Sequence, residues 1–99
     1  MIKTGSRLES QVCEAQVIVV RTSAALDELR CGGVPMVPLG AKTDTGLSPD
    51  PEFAAGAVLG KRYVHDGAEV LVTKSGTGTL AVNGIPLQLK QAKQLPSSD

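Results

Sequence analysis

Hydrophobic and polar positions alternate along two stretches of the chain. Residues 15–21 read Ala-Gln-Val-Ile-Val-Val-Arg, and residues 68–74 read Ala-Glu-Val-Leu-Val-Thr-Lys. Branched apolar residues recur with a period of two, and a basic residue ends each run; this is the pattern of a β-strand. A further strand is predicted after each, at residues 29–31 and 79–82. Each of these leads into a turn dipeptide, Gly32-Gly33 or Asn83-Gly84, suited to a two-residue hairpin with positive φ. The chain then returns through a proline, in Val34-Pro35-Met36-Val37 and in Ile85-Pro86-Leu87-Gln88-Leu89. Proline has no N–H to give a ladder, so both return segments are predicted as edge strands or extended tails.

The two stretches are copies of one pattern. The expected fold is all-β: two tandem small antiparallel β-hairpin units in a pseudo-twofold arrangement, each of three short strands, closed on one shared core. Residues 1–39 form the first unit and 60–90 the second. Residues 40–59, rich in Gly, Thr, Ser, Asp and Pro, read as a flexible linker, and 91–99 as a polar tail. The first copy has the longer inter-strand loop, residues 22–28 against 75–79. Taken alone, Ser23 and the alanines after it suit a capped helix. The glycines at 76 and 78 in the other copy limit that helix to a single turn. In the linker, Asp50, Pro51 and Glu52 predict a short helix running to about Ala57. Val17 to Val20 is apolar on both faces, which predicts a strand between two layers.

Composition narrows the function. A chain of 99 residues is one domain's worth. With one Phe, one Tyr and no Trp, its core must come from Val, Leu, Ile and Ala. Ten Lys and Arg balance ten Asp and Glu, so no net field draws the protein to nucleic acid or an anionic membrane. Single-strand binding also needs aromatic platforms that this chain lacks. No apolar run approaches the ~20 residues of a membrane span. Residues 1–7 hold no apolar signal-peptide segment. The expectation is a soluble cytoplasmic protein with no nucleic-acid or membrane partner.

Leu29-Arg30-Cys31-Gly32-Gly33-Val34-Pro35-Met36, with Cys13, Val17 and Val19 upstream, resembles desulforedoxin and the desulforedoxin-like N-terminal domain of desulfoferrodoxin. These are rubredoxin-like β domains, whose pattern runs Tyr-x-Cys-x-x-Cys-Gly-x-x-Val-x-Val and then Leu-x-Cys-Cys-Gly-x-x-Met. Four thiolates hold one iron. Desulforedoxin is a dimer, so the resemblance implies a tandem version of that dimer in one polypeptide. The departures are chemical. The adjacent cysteine pair has become Cys31-Gly32, and Ser10 lies three residues before Cys13. In the second copy His65 falls near the first ligand position, and Val82 and Asn83 occupy the later ones. A site of four cysteines therefore cannot form within either repeat.

Cys13 and Cys31 are left as the candidate chemistry. They flank the predicted hairpin around residues 22–23, which would put them on neighbouring strands. Three readings stand side by side. They are two small buried side chains left from a vestigial metal site; or they form a reversible disulfide, given Cα atoms about 4.4–6.8 Å apart; or they bind zinc or iron together with His65 or Asp66. A partial match of His65, Glu69 and Gly76 to the cupin metal motif is read as coincidence, because Tyr63 stands where that motif has its upstream histidine. No catalytic triad, paired acid–base carboxylates or phosphate-cradling loop is present. The functional expectation is a non-enzymatic binding or accessory module with an unknown protein partner and no cofactor, its iron site lost. The alternative is a small redox or metal-binding protein using Cys13 and Cys31.

Overall fold

The computed structural model describes residues 2–42 and 46–90. The protein is all-β. Its strands are β1 (Arg7–Glu9), β2 (Gln16–Arg21), β3 (Leu29–Cys31), β4 (Val34–Pro35), β5 (Val37–Pro38), β6 (Arg62–His65), β7 (Ala68–Lys74), β8 (Leu80–Val82), β9 (Ile85–Pro86) and β10 (Gln88–Leu89). They form a six-stranded sheet, in the order β10-β6-β7-β2-β1-β5, and a four-stranded sheet, β4-β3-β8-β9. Every pairing is antiparallel. Exchanging β1–β5 for β6–β10 leaves both orders unchanged. The register repeats this relation: Ile18 pairs with its own counterpart Leu71 at the centre of the large sheet, and Arg30 pairs with Ala81 in the small one.

The hairpin expected between residues 21 and 29 does not form. β2 pairs with β1 and β7, whereas β3 pairs with β4 and β8. The chain changes sheets at residues 22–28, so each repeat contributes strands to both layers. The return segments do the same in reverse: β4 and β9 edge the small sheet, β5 and β10 the large one. Pro35, Pro38 and Pro86 all sit on those edges, where a missing N–H is tolerated.

The core lies between the sheets. Val17, Val19, Val70 and Val72 are fully buried from the large sheet, and Leu29, Cys31, Leu80 and Val82 from the small one. Side chains alternate across a strand, and β2 obeys this rather than burying both faces. Ile18 is half-buried and Val20 is 37% exposed, so the large sheet has one face in the core. Arg62 and Lys90 clamp the carboxylate of Glu69 at 3.1 and 2.9 Å, tying β6, β7 and the end of β10 together.

Three hairpins turn on two residues with positive φ. They are Gly32-Gly33, Asn83-Gly84 and Asp66-Gly67, the last between β6 and β7. The equivalent β1–β2 connection is longer and carries Cys13. Residues 24–28 form a five-residue 3-10 helix, somewhat more than the single turn expected; Ser23 precedes it, but its hydroxyl makes no capping bond. Asp50 does cap, its carboxylate accepting from the Glu52 amide at 2.9 Å. The helix it starts covers only Pro51–Phe53 and does not reach Ala57. The backbone bonds of Ala57 go instead to Gly76, at 2.9 and 3.2 Å. The segment around it lies against both repeats: the Asp50 amide donates to the Gly32 carbonyl, and the Thr79 amide to the Phe53 carbonyl. No helix among the described residues is long and apolar enough to cross a membrane.

Candidate functional site: a paired thiol under a glycine loop

The site begins at Ser10, fully buried at the end of β1. Its Oγ accepts hydrogen bonds from the amides of Val12 and Cys13, both at 3.1 Å. A serine bonding its own backbone two and three residues on fixes a tight turn. The Ser10 amide donates to the Ala15 carbonyl at 2.9 Å and closes the loop. That loop aims Cys13 at the end of β3, where Cys31 points into the core. The two sulfurs stand 3.7 Å apart and both are free thiols.

A loop from the other repeat lies over the pair. Gly76 and Gly78 have no φ in the left-handed region, so freedom of φ does not explain them. Contact does. A Cβ on Gly76 would stand 2.8 Å from the Cys13 sulfur and 2.5 Å from the Ala15 nitrogen; one on Gly78 would stand 2.9 Å from the Cys31 sulfur. Only a backbone without side chains passes that close. The Gly32-Gly33 turn after Cys31 lies against residues 49 and 50: a Cβ on Gly32 would stand 3.4 Å from the Pro49 Cβ, and one on Gly33 2.9 Å from the Asp50 Cβ.

The two thiols differ in environment. Cys31 has no exposed surface, whereas Cys13 is partly exposed and lines an open cleft of about 510 Å³ with Val12, Glu14, Ser75, Gly76 and Thr77. Burial is the largest influence on the Cys13 thiol and pushes it up. Hydrogen bonds from the Ser10 hydroxyl and the backbone of Ala15 and Gly78, with the neighbouring Cys31, outweigh it and leave Cys13 below its ordinary value. Burial pushes the Cys31 thiol up to about 12, and a charge on Cys13 adds to the effect. One thiol is thus disposed to ionise and the other to keep its proton.

Of the three residues singled out in the sequence, the fold brings two together. His65 ends β6 and lines a different cleft, with Val64, Asp66, Gly67, Ile85, Pro86 and Gln88. In the strand exchange its counterpart is Ser10, so it belongs to the other half's version of the site, where Val82 stands for Cys31. Among the described residues no three His, Cys, Asp or Glu side chains gather around one point. Structural zinc takes four ligands; here a pair of thiols meets without a third such group. Gly76, Gly78 and Ser10 have parts in the site that the sequence did not assign. Ser10 carried a signal, its place three residues before a cysteine. The glycines carried none, because their partners belong to the other repeat.

Fold and site define a small all-β protein with one partly exposed and one buried thiol in near contact. No protein-family model, curated protein or solved structure matches the chain.

Proposed function

We propose that this protein is a small thiol–disulfide carrier, in which Cys13 and Cys31 cycle between dithiol and disulfide. The observation that carries this reading is the 3.7 Å between two sulfurs in opposite environments. Closing that gap to the roughly 2.05 Å of a disulfide takes a small movement of the Cys13 loop. With a small disulfide such as oxidised glutathione as the reaction partner, the Cys13 thiolate attacks one sulfur and releases the other as a thiolate. Cys31 then loses its proton, attacks the Cys13 sulfur and releases the sulfur bound there. The partner gains two electrons and the pair ends as a disulfide. The scaffold is read as a degenerate desulforedoxin-like module, with two of its cysteine positions kept and put to this use. A reducing, cytoplasmic setting suits a pair that must be returned to thiols. The protein then serves a protein partner as a stoichiometric carrier and not as an enzyme.

Equilibration in buffers of reduced and oxidised glutathione tests this, with free thiols counted by mass after alkylation. The expected count falls from two to zero in one two-electron step, and Cys13→Ser abolishes the step. A count that stays at two in excess oxidised glutathione and in excess hydrogen peroxide alike overturns the proposal. So does stoichiometric zinc or iron in the purified protein that is lost in either cysteine variant, because the thiols would then be ligands.

A further inference from the structure

We propose that the oxidant this pair meets is a small hydroperoxide, with Cys13 taking the oxygen and Cys31 resolving the product. The inference rests on the dithiol reading above and names the substrate class for the same site. It follows from how the Cys13 sulfur is covered. A thiolate attacking a protein disulfide needs the incoming sulfur in line with the bond it breaks, together with space for the carbon that sulfur carries. At Cys13 the gap between the sulfur and the Gly76 backbone is too narrow for even a methyl group, since a Cβ there would stand 2.8 Å from the sulfur. The cleft that remains admits a two-oxygen molecule more easily than a folded partner. The surroundings also suit a peroxide. Hydrogen bonding from Ser10, Ala15 and Gly78 favours the thiolate form of Cys13, and a second thiol waits 3.7 Å away. A partly exposed cysteine beside a resolving one is the arrangement that passes through a reversible sulfenic acid.

The chemistry balances in two steps. The Cys13 thiolate attacks the terminal oxygen of ROOH; the O–O bond breaks, a sulfur–oxygen bond forms, and RO⁻ leaves to take a proton from water. Cys31 then attacks the Cys13 sulfur, the S–O bond breaks, and hydroxide leaves with the Cys31 proton as water. One hydroperoxide gains two electrons and the pair becomes a disulfide. The burial of Cys31 keeps the second sulfur from being oxidised first.

Hydrogen peroxide is the probe, with oxidised glutathione as the parallel arm. In Cys31→Ser, one equivalent of peroxide in the presence of dimedone gives a single adduct, located on Cys13 by mass spectrometry. Cys31→Ala is the second variant should the first fail to fold. The wild-type chain gives the intramolecular disulfide instead, about tenfold or more faster than free cysteine at the same pH. If oxidised glutathione closes the disulfide while peroxide reacts no faster than with free cysteine, the hydroperoxide inference falls and the dithiol reading stands. If neither reagent closes it, both fall. A dimedone adduct on Cys31 in Cys13→Ser, formed as quickly, also overturns the assignment of roles.

Discussion

Ser10 decides how the pair behaves although it bears neither sulfur. Its Oγ already accepts from the Val12 and Cys13 amides, so its own proton is free to turn toward the thiols. Removing the hydroxyl leaves two amides short of an acceptor and the Cys13 thiolate short of a donor. In Ser10→Ala the midpoint of Cys13 alkylation should therefore move to higher pH, since a lost donor destabilises the charged form. Global stability should fall by about 1 kcal/mol. Iodoacetamide rates across pH 6–10 and a urea titration measure the two effects separately. An unchanged alkylation midpoint with lowered stability would reduce Ser10 to a turn-former. The cysteines themselves were legible as a pair from their spacing and the expected hairpin. That hairpin does not exist, so the prediction of proximity rested on the wrong pairing. The sulfurs meet because the Cys13 loop caps the end of the other sheet.

At the scale of elements, the two repeats were readable because alternating β-branched residues and Gly-containing turn dipeptides act locally. Val17 and Val19, Val70 and Val72, Gly32-Gly33 and Asn83-Gly84 each need only their neighbours to declare a strand or a turn. Asp66-Gly67 carries the same turn chemistry but was obscured, because the first copy has the longer Cys13 loop in its place. The helix expected to reach Ala57 failed for a non-local reason: Ala57 finds a backbone partner in Gly76. The loop at 75–79 shows the same limit. Nothing near Gly78 in the chain requires glycine, yet a Cβ there would stand 2.8 Å from the Gly32 nitrogen, which cannot move aside. Gly78→Ala should lower stability by about 1–3 kcal/mol, as overpacking does. Gly84→Ala is the control, at φ +78 with nothing within 4 Å. Thermal unfolding of the two variants should separate crowding from backbone strain. No loss in Gly78→Ala would mean that Gly78 is not a packing glycine.

For the whole molecule, the exchange of strands between sheets makes the halves interdependent. Each layer contains strands of both repeats, and the central pairs Val17–Val72 and Val19–Val70 join them. Neither half has a layer of its own to fold on. The chain therefore opens as one unit, or opens by lifting the glycine loop and residues 49–57 from the thiols while the large sheet stays paired. The burial of Cys31 behind that cover turns a packing detail into a gauge. Its sulfur can be labelled only when one half has moved off the other, so its labelling rate in native buffer reports how often they part. A rate that follows global unfolding, with the same dependence on urea, would describe two halves that separate only when everything melts. A faster, urea-independent rate would describe a hinge, with the oxidation state of one repeat set by the grip of the other.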